Sequence, residues 1–248
     1  MLPEQGRGYW RCEVDFRFDL LKIGVITPIL LLDMNETFEL RTKPTQARSA
    51  AKFDHILDTA VILLETEGWD GFSTNVLAER AGVGIQTLYR YFPNKLSVVA
   101  TLAQRTIQEW NEWFSDFDSF FAKDLDDASN NAFLFFIENL KNQPGGVAIR
   151  RAMNASPALR KMDQEDNRKM AKRYSQALFR HFALDHPEQF YSAALTVIEA
   201  SLAITDLTFD IPEDEARELI EEFVLMQNLF IREKVRLLTE ANQQKGAK

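Results

Sequence analysis

Cysteine and histidine are nearly missing from this sequence. Cys12 is the single cysteine, which excludes a disulfide within the chain and fits a reducing compartment. The three histidines, His55, His181 and His186, have no partner at metal-ligand spacing, and CxxC, HExxH and P-loop motifs are all absent. Gly82 and Gly84 make a Gly-x-Gly, but it follows a helical pattern rather than a strand and lacks the third glycine of a dinucleotide fingerprint. The acidic run Asp124, Asp126 and Asp127 lacks the rest of a calcium loop and reads as a solvated helix start. No catalytic residue, metal or cofactor is expected, and the chain is not expected to be an enzyme.

Long hydrophobic runs are also lacking. The longest, IGVITPILLL at residues 23–32, is broken by Gly24 and Pro28 and is about half the ~20 residues a spanning helix needs. Acidic residues precede it and no small-residue cleavage site comes after it, so it does not read as a secretion signal. No membrane association is expected, and the cytoplasm is the expected compartment. Residues 1–33 show no helical period and join poorly to the stretch that Met34 opens, so Met34 is the expected natural start.

What is present is a globular composition, with 46% hydrophobic and 27% charged residues in 248. The net charge of -8 is unevenly spread: residues 41–95 are slightly basic, and the acidity lies on either side. Arg41, Lys43, Arg48 and Lys52 fall in a stretch free of acids, which suits either a phosphate backbone or a solvated helix face.

From Phe53 the apolar residues recur at 53, 56, 57, 60, 61, 63 and 64, predicting an amphipathic helix over 47–67. Ser73-Thr74 stands at an N-cap position before a short helix over 74–81. A glycine-containing turn leads to a third helix over 85–91, on which Leu88 and Phe92 face the core. Two short helices joined in this way are a helix-turn-helix. Pro93 ends the third helix, and Asn94 caps a long fourth one with Lys95 in its first turn, where a cation opposes the helix dipole. An anion in front of Lys95 would offset that cost.

The segment TNVLAERAGVGIQTLYRYFPNK, residues 74–95, resembles the DNA-binding signature of TetR-type transcriptional regulators in its AERAGV turn, its TLYRYF recognition helix and its FPNK entry to the fourth helix. The resemblance covers residues 47–102. It implies a recognition helix in the major groove of DNA, with Ile85, Gln86, Thr87 and Tyr89 toward base edges. Thr74, Tyr91 and Lys95 would lie on the phosphate side, with Arg48 of the basic stretch and Arg90 beside them. Thr87 is equally placed to cap the helix or to bind phosphate. The sequence departs from the family at Gly84, where serine or threonine often supplies a cap hydroxyl.

Beyond the fourth helix the chain is strongly aromatic. Trp110, Trp113, Phe114 and Phe117 recur at helical spacing and Phe136 comes after them, a pattern of core packing that in TetR-like proteins also lines an effector cavity. A break at residues 144–146 precedes a polar helix over 158–182 and two closing helices. On these, Ala193, Val197, Ala200, Ile204, Phe223 and Phe230 are the expected dimer contacts, implied by the family's four-helix bundle; intramolecular packing would give the same pattern. The expected fold is all-α. Residues 1–46 form an extension, 47–93 the helix-turn-helix domain, 94–242 the effector and dimerisation domain, and 243–248 a frayed tail. The expected protein is a homodimeric repressor of double-stranded DNA released by a small apolar effector. The alternative is a helical small-molecule-binding or interaction protein whose helix-turn-helix no longer engages DNA.

Overall fold

A computed structural model describes residues 38, 40–116, 125–182 and 188–246. The expectations for residues 1–33 and for Phe117 lie outside these. The described residues are helical with no strand: α1 (Ala47–Gly71), α2 (Thr74–Arg80), α3 (Ile85–Tyr91), α4 (Lys95–Trp113), α5 (Leu125–Asn142), α6 (Gly146–Ala155), α7 (Pro157–Phe182), α8 (Glu188–Thr208) and α9 (Glu213–Gly246).

Period and caps explain the first four. α1 buries Phe53, Ile56, Leu57, Ala60, Leu63 and Leu64 along one stripe, each worth about 1.5–3 kcal/mol if fully withdrawn from water, alanine less. Its helical backbone breaks at Gly68, with φ 65° and ψ -173°, close to the predicted end. Ser73 caps α2 by accepting from the Val76 N–H at 3.3 Å, and Asn94 caps α4 by accepting from the Ser97 N–H at 2.8 Å. α4 is the central post. Its first half, from Leu96 to Ala103, is buried on every side because α1, α6 and α7 all pack on it.

α6 was not read from the sequence. Its ten residues start on the second of two glycines and stop before Ser156, too short a window for a period to stand out. Gly145 adopts φ 70°, and its N–H donates to Glu65 Oε1 at 2.9 Å, tying the start of α6 to α1.

α7, α8 and α9 form a packed series. α8 is long and apolar enough by composition to cross a membrane. Here Phe190, Ala193, Ala194 and Val197 are buried, and α7 and α9 pack on the helix. One core runs from Phe53 to Ile231, and a small satellite joins Phe133 and Ile137 of α5 to Phe223 of α9. α9 continues to Gly246, through residues expected to fray.

Candidate nucleic-acid interface and adjoining cavity

The turn between α2 and α3 is held by backbone bonds, Gly82 N–H to the Glu79 carbonyl at 3.0 Å and Val83 N–H to the Ala78 carbonyl at 3.0 Å. Gly82 takes φ 61°, which a side chain would make costly. Leu88 is fully buried and anchors α3 to the core. The opposite face carries Gln86, Tyr89 and Arg90 exposed, with Ile85 and Thr87 half-buried at its start. Tyr89 and Thr74 meet hydroxyl to hydroxyl at 3.2 Å, so the start of α2 and the middle of α3 present one polar edge.

The basic stretch lies against this edge. The Arg41 N–H donates to the Tyr91 carbonyl at 2.9 Å and its guanidinium to the Tyr89 carbonyl at 3.3 Å. Between this arm, the first turns of α1 and the end of α3 is an open groove of about 350 Å³, bordered by Lys43, Arg48, Lys52 and Arg90 with the hydroxyl residues Thr45 and Ser49. Among the described residues, no carboxylate pairs with any of these four cations, whereas Asp54 is engaged by Arg105 and Glu67 by Arg80. The groove suits a poly-anion. Lys43, Lys52, Thr45 and Ser49 were not among the nominated site residues, although the acid-free stretch that holds the two lysines was visible.

Two phosphate-side candidates sit differently from the expectation. Tyr91 is buried, its ring edge-on to Phe53 at 5.4 Å, because its place on α3 turns it toward α1; it still borders the groove. Lys95 is half-buried, with its ammonium 4.1 Å over the Trp69 ring and 3.4 Å from the Trp69 carbonyl. The π face and the carbonyl supply the negative potential that the sequence assigned to an external anion. Gly84 precedes α3 as an N-cap with no side-chain bond.

Among the aromatic residues, Trp110, Phe114 and Phe136 line a cavity of about 110 Å³, together with Phe133, Met170, Val197 and Leu202. Trp113 does not border it and instead packs on Phe135 and Phe136. The polar part of the wall consists of Tyr174 and Ser201 with Asp166, Asn167 and Gln227, three residues that the sequence reading missed because they come from distant parts of the chain. Asp166 accepts from Asn111 Nδ2 at 3.0 Å. Burial raises its pKa, against the pull of that hydrogen bond and of Lys169 and Arg173. Behind the wall, buried Arg150 of α6 is held by Asp206 of α8 at 2.5 Å and lies 3.8 Å from Asp163 of α7. Burial raises the Asp163 pKa, Arg150 lowers it, and Glu199, Asp206 and Asp166 raise it further.

Of the residues nominated for a dimer interface, Ala193, Val197 and Phe223 are buried inside their own chain, and Val197 faces the cavity. Ala200 and Ile204 are half-buried and pack on the Phe133–Phe223 satellite. Phe230 is 40% exposed and shares α9 with Leu225, Met226 and Leu229, which are 54–59% exposed.

Three helices with a polar edge beside a basic groove, ahead of a helical body with an apolar cavity, make up a helix-turn-helix domain joined to an all-helical body. Residues 56–102 match the sequence model of the bacterial regulatory proteins of the tetR family. The whole fold is similar to a TetR-family transcriptional regulator from Streptomyces coelicolor, with TM-score 0.55 and 22% identity over 75% of this chain and 98% of that one. It is similar as well to the fatty acid degradation regulator FadR from Bacillus halodurans (0.56, 17%, 75% and 97%) and to SmeT in a complex with triclosan (0.54, 18%, 73% and 90%). No curated protein sequence matches the chain.

Proposed function

We propose that the chain is a homodimeric repressor that binds a palindromic DNA operator in the cytoplasm and is released when a small, mainly apolar effector fills the cavity. The observation that carries this reading is the union of the α3 face with a groove of four unpaired cations in a chain of net charge -8. In an acidic protein, such a local surplus attracts phosphates only where it is placed. The groove then positions the backbone while Gln86, Tyr89 and Ile85 meet base edges. A short recognition helix reads few bases, so two copies spaced about 34–36 Å apart, or a multiple, suit one operator. The effector would favour a conformation in which the two heads no longer match that spacing. This role requires no catalytic chemistry.

A second reading, a helical ligand-binding protein whose reading head no longer engages DNA, is favoured by three features: Gly84 brings no hydroxyl, Tyr91 is buried and Lys95 is held on Trp69. A mobility shift on the upstream region of the protein's own gene, across a salt series, separates the two. The repressor reading expects a complex that weakens steeply with salt. Absence of any complex at low salt rules it out.

A further inference from the structure

The cavity itself indicates what kind of molecule it takes. Four aromatic side chains line it, with Trp110 and Phe136 edge-on at 5.4 Å and Phe114 and Phe133 beside them, and Met170, Val197 and Leu202 add aliphatic surface. Rings that leave faces and edges open to a cavity favour a further ring between them. The free space of about 110 Å³ is of the order of the ~150 Å³ apolar cavity that holds one benzene ring. A space of that size suits a ligand of about one ring.

The polar wall sets the substituent. Gln227 of α9 is 2% exposed, and its Nε2 has no hydrogen-bond partner. A buried amide donor left unpaired is costly, so a ligand oxygen in reach of it recovers a bond that the protein does not make alone. The same wall holds the Asp166 carboxylate, and no lysine or arginine side chain lines the cavity. The cations around it are committed elsewhere: Arg150 donates to Asp206 and to the Leu202 carbonyl and lies 3.8 Å from Asp163, Arg173 donates to Asn111 and to the Phe114 carbonyl, and Lys169 is largely solvent-exposed. A carboxylate or phosphate ligand would meet like charge with no counter-ion.

We infer that the effector is an uncharged, single-ring aromatic molecule bearing one oxygen acceptor, which accepts from Gln227 Nε2. The inference rests on the effector reading above and deepens it.

The test is calorimetric titration of the full chain with three probes, acetophenone, ethylbenzene and benzoate, on the natural sequence and on Gln227→Leu. The natural chain binds acetophenone at least tenfold more tightly than benzoate. Gln227→Leu weakens acetophenone by about tenfold, the worth of one neutral hydrogen bond, while ethylbenzene binds as before or better. Retained ethylbenzene binding also shows that the variant is folded. Equal losses for acetophenone and ethylbenzene, or none for either, overturn the role of Gln227. Benzoate binding most tightly, or neither neutral probe binding the natural chain, overturns the ligand class. The operator shift is measured in parallel. A DNA complex that persists when no probe binds leaves the regulator reading intact; acetophenone binding that leaves the DNA complex unchanged supports the ligand class and removes release by effector.

Discussion

The Arg41 N–H and the Tyr91 carbonyl, 2.9 Å apart, fasten the basic arm to the last turn of the recognition helix. One hydrogen bond thereby places cations from two parts of the chain along a single groove.

Removing two of those cations is the direct test. Arg48→Ala combined with Arg90→Ala is expected to weaken DNA binding on all sequences alike. Each lost phosphate contact lowers the slope of log K against log salt by about 0.9, so the pair lowers it by about 1.8. The slope comes from binding isotherms at several salt concentrations. An unchanged slope means that these side chains do not touch phosphate.

Gln86 tests base reading. It is exposed on the outer face of α3, and Gln86→Ala is expected to cost about 1–3 kcal/mol at one base pair and little elsewhere. Competition among single-base operator variants shows whether the preference relaxes at one position. A uniform loss across all variants would remove Gln86 from the base contacts.

Gly84 has φ -65° and ψ 140°, open to any residue, and a Cβ there would meet only Thr87 Oγ1 at 4.0 Å. Gly84→Ser is therefore expected to raise stability by a few tenths of a kcal/mol through capping and to tighten DNA binding by adding a hydroxyl. Thermal melting and the operator shift measure the two gains separately.

Asp163 predicts a pH dependence. Burial raises its carboxyl above the ordinary 3.8, so between that value and the raised one the folded chain binds more protons than the unfolded chain. Stability then falls as pH rises through that window and stays lower above it. In Asp163→Asn this component is gone. The stability of the natural chain relative to the variant should decline from about pH 4 upward and then level, as read from denaturant unfolding at a series of pH values.

The exposed stripe on α9 predicts the assembly state. Leu229, 59% exposed, can be charged without touching the core, so Leu229→Glu is expected to yield folded monomers by sedimentation. Phe223, buried against Phe133 at a ring separation of 4.7 Å, behaves otherwise. Phe223→Ala is expected to cost about 3–5 kcal/mol of folding stability.

The DNA-binding half was legible because local rules govern it. The 3.6-residue period on α1, the caps at Ser73 and Asn94, and the glycine turn each act over a few residues, and each appears close to its expected place. What escaped was set by distant partners. Lys95 finds Trp69 twenty-six positions back, and Tyr91 is buried by Phe53 on another helix. The cavity shows both sides of this: Trp110, Phe114 and Phe136 stood out as a stripe, whereas Asp166 of α7 and Gln227 of α9, 61 positions apart, share a wall only in the folded chain. On α8 and α9 apolar spacing does not reveal which neighbour a side chain meets, and Ala193, Val197 and Phe223 pack within the chain.

At the seam between α1 and α6, a side chain on residue 145 would collide with Val61, and the backbone there already has the left-handed twist that glycine alone adopts cheaply. Glu65 accepts from the same amide, so the first turn of the sixth helix is joined to the first helix by a hydrogen bond as well as by close contact. Any larger residue at this joint would therefore push the two helices apart, and the price would be the bond between them.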